Sequence, residues 1–197
     1  YIRDCAQLLR QENIKVVMVS NGFINPEPFS EMRQFVDALN IDIKSMNDDF
    51  YKTICNGSVK PVLETCRLAV EKCHLEITNL LITDENDSES EVRRLAEFIS
   101  RNLGNSVPLH LSRYYPTYKM KNDATDTRVL FNSQKIALNY LNHVYLGNLP
   151  VHHENKTSCK SCGNTMITRN QYRIDTSGLD NTGRCSMCGT MTSIVMR

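Results

Sequence analysis

The sequence lacks tryptophan, an excess of one charge and long apolar runs, features that often indicate a class of function. Tryptophan is absent, and aromatic residues make up only 7% of the 197 residues. Lysine and arginine total 23 against 22 aspartate and glutamate, without a basic run, so charge gives no reason to expect nucleic acid or an anionic membrane as a partner. No apolar stretch approaches the roughly 20 residues that cross a bilayer. We therefore expect a protein that binds neither nucleic acid nor membrane.

Cysteines are present, but half of them form no recognisable pattern. Cys5, Cys55, Cys66 and Cys73 are scattered through apparent helices and helix ends, where a free cysteine usually behaves as a small buried hydrophobe. Unpaired thiols are typical of a reducing compartment, so the sequence predicts a cytoplasmic protein.

The other four cysteines are paired near the C-terminus. Cys159 and Cys162, then Cys185 and Cys188, form two C-x-x-C-G knuckles. This spacing predicts a tetrahedral zinc site, and a rubredoxin-type iron centre is the alternative because thiolates bind either metal. Four sulfur ligands leave no open position for substrate or water, so we expect the site to be structural.

The position of these knuckles suggests how the chain is divided. We expect residues 159–197 to form a small zinc-ribbon-like module and residues 151–158 to be a linker. Residues 1–150 would then form a larger domain, since a chain with 41% hydrophobic residues can bury one medium core.

Upstream of the linker the hydrophobic pattern switches repeatedly between helix and strand periods. The predicted strands are residues 14–19, 39–43, 75–82, 107–112 and 143–147. Strict alternation with helices implies an α/β fold, with parallel strands joined by right-handed crossovers. Five such strands form an open sheet or part of a barrel, and in either fold the chemistry lies at the carboxyl ends of the strands.

Polar residues occur where several predicted strands end. Asp42 and Lys44 are two apart, so both side chains should enter the same space, either as a structural ion pair or as a ligand site. Ser20 and Asn21 precede Gly22 in a segment that a simple strand-to-helix turn would also explain. His110 lies between two leucines, as a core histidine or as a functional one.

The order of these motifs resembles that of radical SAM proteins. The matching segments are Val19–Phe23, Asp42–Asp48, Pro61–Glu64, Leu80–Ile82 with Asn86–Ser88, Pro108–Pro116 and Val144–Asn148. More narrowly, the chain resembles the AmmeMemoRadiSam-system branch, relatives of the pyruvate formate-lyase activating enzymes that carry a cysteine-rich ribbon at the C-terminus.

The resemblance implies a partial β/α barrel that binds a [4Fe-4S] cluster and S-adenosylmethionine. Such enzymes cleave the sulfonium reductively with an electron donor, and the deoxyadenosyl radical then abstracts hydrogen from a protein or small-molecule substrate. Carried over to this sequence, the resemblance implies that Ser20 and Asn21 form hydrogen bonds with the cofactor. It also implies that Asp42 and Lys44 contact the methionine part of the cofactor. It also places His110 near the cofactor.

One part of the family pattern is missing. Cluster ligation needs three cysteines, typically as C-x-x-x-C-x-x-C, and this spacing does not occur in the sequence. The chain opens at Tyr1 in a helical pattern, so we expect it to be the C-terminal part of a longer enzyme and inactive alone.

Two other interpretations remain open at this point. In the first, the α/β part is a scaffold and the zinc ribbon docks another macromolecule. In the second, Lys44 forms a Schiff base in a conventional barrel enzyme, which requires a neutral amine. Asp42 beside it favours the ammonium form instead.

Overall fold

The structure, a computed structural model, describes residues 1–149, 155–170 and 173–194. The chain divides into two compact units, Tyr1–Gly147 and Asn148–Arg197. The helices of the first unit are α1 (Ile2–Gln11), α2 (Pro26–Met32), α3 (Asp48–Ile54), α4 (Val59–Val70), α5 (Glu89–Phe98) and α6 (Thr127–Leu138). Its strands are β1 (Val17–Ser20), β2 (Ala38–Asp42), β3 (His74–Leu81), β4 (Leu109–Arg113) and β5 (Val144–Gly147).

The five strands form one parallel sheet in the order β1-β2-β3-β4-β5. Spatial order equals chain order, so every connection passes to the next strand and carries at least one helix. This is the α/β arrangement that the alternating pattern predicts, and the fold class is confirmed. None of the described helices is long and apolar enough to cross a membrane.

The two faces of the sheet differ in chemistry because side chains alternate along each strand. One face carries aliphatic residues that are at most 3% exposed, namely Leu39, Ile41, Leu75, Ile77, Leu109 and Leu111. Helices α4 and α6 contact these strands, so this face forms the core. Residues of the opposite face stay partly exposed and include Asn40, Asp42, Glu76, Thr78, His110 and Tyr145. We call this opposite surface the open face.

Element boundaries differ from the predicted ones where side chains interfere. Strand β1 starts at Val17, and the Val16 N–H just before it donates to the Asp37 carboxylate at 2.8 Å. Helix α5 ends at Phe98 and continues as a π-helical turn, Ile99–Leu103, before Gly104 at φ +104°. The Ser88 hydroxyl accepts from the Glu91 N–H at 3.3 Å, as the capping-box pattern predicts for the start of α5.

The second unit contains an antiparallel sheet of β6 (Asn155–Ser158), β7 (Thr165–Asn170) and β8 (Arg173–Asp175). Asn155–Ser158 therefore forms a strand of this unit, although the sequence suggested a linker through residue 158. Residues 151–154, the rest of that predicted linker, lie outside the described residues. The buried cluster of the unit is Cys159, Met166, Ile167 and Cys185, with Leu179 and Ile194 packed against it.

Candidate functional site

Asp42 and Lys44 meet on the open face, as their spacing predicts. The Lys44 Nζ lies 2.6 Å from Asp42 Oδ2, although β2 itself ends at Asp42. The lysine side chain is 35% exposed and the aspartate side chain 27% exposed. Since neither charge is fully buried, solvent or a ligand can reach both.

The backbone at Lys44 is fixed by side chains from three other elements. Its N–H donates to the Tyr51 hydroxyl at 3.0 Å, and its carbonyl accepts from Asn79 Nδ2 at 3.1 Å and Asn86 Nδ2 at 2.6 Å. Burial raises the pKa of the Tyr51 hydroxyl, which keeps it protonated. Asn79 and Asn86 are 3% and 2% exposed, so these bonds are shielded from water.

Glu91 extends this support to the residues that follow. It is only 5% exposed, and its carboxylate accepts hydrogen bonds from the Ser45 hydroxyl and the Met46 N–H and pairs with Arg94. A buried carboxylate is tolerated when donors satisfy it in this way. Glu91 therefore attaches the turn after Lys44 to helix α5.

The Ser20–Gly22 turn lies on the neighbouring strand end. The Ser20 hydroxyl oxygen accepts from the Gly22 N–H at 3.1 Å, and Asn21 Oδ1 accepts from the Phe23 N–H at 3.0 Å. These are the bonds that a turn alone requires. Gly22 has φ +68°, and a Cβ there would lie 2.8 Å from Ile41 Cγ2, so no other residue fits. The Ser20 O–H hydrogen and the Asn21 amide hydrogens still point to no acceptor among the described residues.

His110 is not an isolated core histidine. Its Nε2 lies 2.7 Å from Glu76 Oε2, while His74 Nε2 lies 3.2 Å from Glu76 Oε1. Hydrogen bonds from His110 and then from His74 hold the pKa of Glu76 far below its usual range. The hydrogen bond to Glu76 raises the pKa of His74. The sheet thus presents a carboxylate between two imidazoles on the open face.

Strand register brings several of these residues to one level of the sheet. Thr78 is paired with Asp42 on one side and with His110 on the other, and His110 is paired with Tyr145. Paired residues of parallel strands point to the same face. Ser20 is paired with Ile41, one residue before Asp42, so the turn that contains Asn21 follows at the adjoining strand end.

The sequence did not reveal the residues that support this site. Glu76 and Asn79 lay within the predicted strand 75–82, but nothing in one sequence gave them a role. Tyr51 and Glu91 occur in helices with ordinary amphipathic patterns. The capping box Ser88-x-x-Glu91 explains a glutamate at this position by itself, so Glu91 gave no indication of the site.

The four ribbon cysteines come together as their spacing predicts. Their sulfur atoms all lie within 4.8 Å of one another, with Cys159 and Cys188 3.7 Å apart and Cys162 and Cys185 also 3.7 Å apart. This grouping suits a single tetrahedral ion.

The two knuckles of this cluster have matching backbones. The Gly163 N–H donates to the Cys159 carbonyl at 2.9 Å, and the Gly189 N–H donates to the Cys185 carbonyl at 2.8 Å. Both glycines have positive φ, at +73° and +70°. The Thr190 hydroxyl, 3.2 Å from the Cys188 sulfur, lowers the pKa of that thiol and so favours the thiolate that binds metal.

Comparison with known proteins places this architecture in a class. Residues 1–99 match the family model of the Radical SAM superfamily. The chain is 36% identical over 200 residues to an uncharacterized protein of Methanocaldococcus jannaschii, a match that covers 100% of this chain and 59% of that protein. The chain belongs to the radical SAM superfamily.

Two further likenesses concern activating enzymes. Over 124 residues the chain is 27% identical to the pyruvate formate-lyase 1-activating enzyme of Escherichia coli, covering 61% of this chain and 50% of that enzyme. The crystal structure of a domain of pyruvate-formate lyase-activating enzyme from Bacteroides vulgatus aligns with a TM-score of 0.64 at 23% identity, over 74% of this chain and 88% of that one. At this identity the likeness establishes the fold. The chain spans 59% and 50% of the lengths of the two relatives matched by sequence.

The superfamily implies S-adenosylmethionine and an iron–sulfur cluster, and the residues present fit these two groups differently. The partly exposed acid and amine of the open face, with donors at the neighbouring turn, suit an amino-acid ligand. For the cluster, the sequence has no C-x-x-x-C-x-x-C, and the ribbon cysteines are the one metal-ligating group found among the described residues. This chain's residues therefore do not fit the cluster.

Proposed function

We propose that this chain forms the S-adenosylmethionine-binding part of a radical SAM enzyme of the activating-enzyme type, whose cluster ligands lie outside this chain. In such an enzyme S-adenosylmethionine would accept one electron from an external donor through that cluster, its sulfonium C–S bond would break with release of methionine, and the deoxyadenosyl radical would abstract hydrogen from a protein or small-molecule substrate. The observation that carries the proposal is the Asp42–Lys44 pair, which is partly exposed at a strand end on the open face.

This pair has the chemistry that the methionine part requires. An α-ammonium group needs an acceptor such as Asp42, and an α-carboxylate needs a cation such as Lys44 together with neutral donors. The Ser20 hydroxyl and the Asn21 amide are donors of that kind. A carboxylate has about four acceptor positions and an ammonium three donors, so each group can bind ligand without leaving the other.

The ion pair also bears on the Schiff-base interpretation of Lys44. A nucleophilic lysine must lose its proton in a desolvated pocket. Here the amine lies 2.6 Å from a carboxylate and is 35% exposed, so it is neither desolvated nor without a counter-ion. The arrangement therefore supports ligand binding by Lys44 in preference to covalent catalysis.

For the ribbon we propose one structural zinc ion bound by Cys159, Cys162, Cys185 and Cys188, with iron as the alternative. Four thiolates within 4.8 Å repel one another strongly unless a cation neutralises them. Full sulfur coordination leaves no position for substrate, so catalysis is expected in the first unit alone.

The proposed cofactor site is tested by measuring S-adenosylmethionine affinity calorimetrically on the full-length protein under anaerobic conditions. Lys44→Ala and Asp42→Asn should each weaken binding at least tenfold, about 1.4 kcal/mol, because each removes one partner of the zwitterion. Lys52→Ala is the matched control, since Lys52 pairs with Asp48 at 3.0 Å on the exposed side of α3. Equal affinity in wild type and in both site variants would remove the proposal.

A further inference from the structure

The Glu76 carboxylate uses each of its oxygens for a different histidine. His110 approaches Oε2 at 2.7 Å and His74 approaches Oε1 at 3.2 Å. All three residues lie on the open face and belong to two neighbouring strands, β3 and β4. No step of the proposed cofactor binding by Asp42 and Lys44 uses them.

The protonation of Glu76 decides which ring nitrogen of His110 carries hydrogen. The two imidazoles hold the pKa of Glu76 far below its usual range, so the side chain is ionised at neutral pH. An ionised carboxylate only accepts hydrogen bonds. Nε2 of His110 therefore carries the hydrogen of this contact, and in the Nε2–H tautomer the available lone pair is on Nδ1.

The surroundings of His110 leave this lone pair available. The side chain is 32% exposed, and no described residue forms a hydrogen bond with Nδ1. The Tyr145 ring lies beside the imidazole with centroids 5.4 Å apart. Several titratable or charged groups face His110 from the neighbouring strands. On β3 these are Glu76 and His74, and at β5 they are Tyr145 and His143, whose rings stack. Beyond Thr78 lie Asp42 and Lys44, which are paired with each other.

We propose that Glu76 and His110 form a carboxylate–imidazole dyad whose Nδ1 accepts a hydrogen bond from a hydroxyl or ammonium group of a ligand on the open face. His110 is the binding residue, and Glu76 is a positioning residue that fixes its tautomer and ring orientation. A carboxylate behind an imidazole strengthens the acceptor at the opposite nitrogen.

Two molecules could supply the donor group, and both follow from the proposed function. One source is a ribose hydroxyl of S-adenosylmethionine, because Asp42 and His110 lie at one level, two strand spacings or about 10 Å apart. The other source is a hydroxyl or ammonium group of the molecule that loses hydrogen. The acceptor chemistry is the same in both cases.

The dyad is tested first in the cofactor-free full-length protein, so that its failure is distinct from failure of the cofactor site. Two-bond ¹H–¹⁵N spectra report the histidine tautomer directly. We expect the Nε2–H form for His110 in wild type and in His74→Gln, which keeps the Glu76 contact. Glu76→Gln should give a mixture of tautomers, because the amide can donate as well as accept. The Nδ1–H form in wild type, or no change in Glu76→Gln, would overturn the dyad.

Access to Nδ1 is tested with diethyl pyrocarbonate, which modifies unprotonated imidazole, and mass spectrometry of the His110 peptide. We expect modification of His110 in cofactor-free wild type, and His110→Gln verifies the peptide assignment. An unreactive His110 would overturn the proposal, because the acceptor would then be inaccessible. Protection by S-adenosylmethionine assigns the donor to the cofactor, and unchanged reactivity in its presence assigns it to the substrate.

Discussion

The two units of this chain obtain their stability in different ways. The first unit, Tyr1–Gly147, buries aliphatic residues of strands β2 to β5 against helices, and Ile41, Ile77 and Leu109 among them are 0% exposed. The second unit has four buried residues in its core cluster, and two of them, Cys159 and Cys185, are predicted metal ligands. A core this small contributes little hydrophobic free energy, so we expect metal binding to supply most of the folding free energy of the second unit. The first unit needs no such ligand, because its aliphatic core is large enough to stabilise it.

The same contrast separates the two kinds of polar cluster. In the first unit, Glu91, Asn79 and Asn86 are buried and bonded within the protein, so they organise a site without a ligand. In the second unit the four sulfur atoms are gathered around a space suited to an ion. The polar groups of the first cluster are satisfied by hydrogen bonds within the protein, whereas we expect the four sulfur atoms of the second cluster to require a cation.

Metal removal should have the largest effect, because it should unfold the second unit and leave the first unit folded. Cys185→Ser in the full-length protein, or treatment of wild type with a strong chelator, should unfold the second unit because apparent metal binding contributes on the order of 10 kcal/mol in zinc-finger peptides. Hydrogen exchange measured by mass spectrometry should show lost protection in β6 and β7, while β2 to β4 stay protected. Cys55→Ser, at an exposed thiol outside the ribbon, is the control. Retained protection in β7 without metal would show that the small core is sufficient.

Acid should reproduce this difference without mutation. Cysteine must lose its proton to bind a metal ion, so the stabilisation proposed for the ribbon is present at neutral pH and is lost as falling pH protonates the sulfurs. In the first unit, hydrogen bonds from two histidines lower the pKa of Glu76. The stability that ionised Glu76 gives the folded unit is therefore fully present above the ordinary glutamate pKa, about 4.3, and is lost only as pH falls through the still lower pKa of the folded state. A pH titration followed by metal release and hydrogen exchange should therefore show the second unit unfolding first. Simultaneous loss of both units would contradict it.

Truncation of a core side chain in the first unit should destabilise that unit and leave the second unit unchanged. Leu111 has no exposed surface, and Leu111→Ala should lower the free energy of unfolding of the first unit by about 3 kcal/mol through lost burial and a residual cavity. Leu8→Ala, at a side chain that is 63% exposed, should cost well under about 1 kcal/mol. Urea denaturation measures both values. Release of zinc from the second unit by Leu111→Ala would mean that the units are not independent in stability.

The sequence predicted the sheet well because the period of its apolar residues is a local property. Leu75 and Ile77, for example, alternate with Glu76 in a run that only a strand with one covered face explains. Boundaries were less accurate. The strands predicted at residues 14–19 and 107–112 are Val17–Ser20 and Leu109–Arg113 in the structure. The π-helical turn after Phe98 leaves no period of its own in five residues.

The candidate site was predictable where two residues are close in sequence and was not predictable where partners are distant in sequence. Asp42 and Lys44 are two residues apart, so an extended backbone is enough to bring their side chains together. His110 and Glu76 are separated by 34 positions and meet only through strand register. Glu91 reaches Met46 across 45 positions, a contact that no local pattern encodes. The knuckles were recognised because C-x-x-C spacing itself reports a shared metal.

Substitution of Glu91 should give the smallest change, and it tests whether the polar cluster of Glu91, Asn79 and Asn86 is stable without a ligand. Glu91→Ala removes the acceptor for the Ser45 hydroxyl and the Met46 N–H, and leaving such groups buried should lower the free energy of unfolding by about 2 kcal/mol. Arg94→Ala is the matched control, because Arg94 is 57% exposed and its loss keeps the bonds to Ser45 and Met46. It should cost less than about 1 kcal/mol. Denaturant titration of both variants measures the two losses in free energy of unfolding. Equal losses would mean that Glu91 acts chiefly through its surface ion pair with Arg94, and that Asn79 and Asn86 alone hold the turn after Lys44.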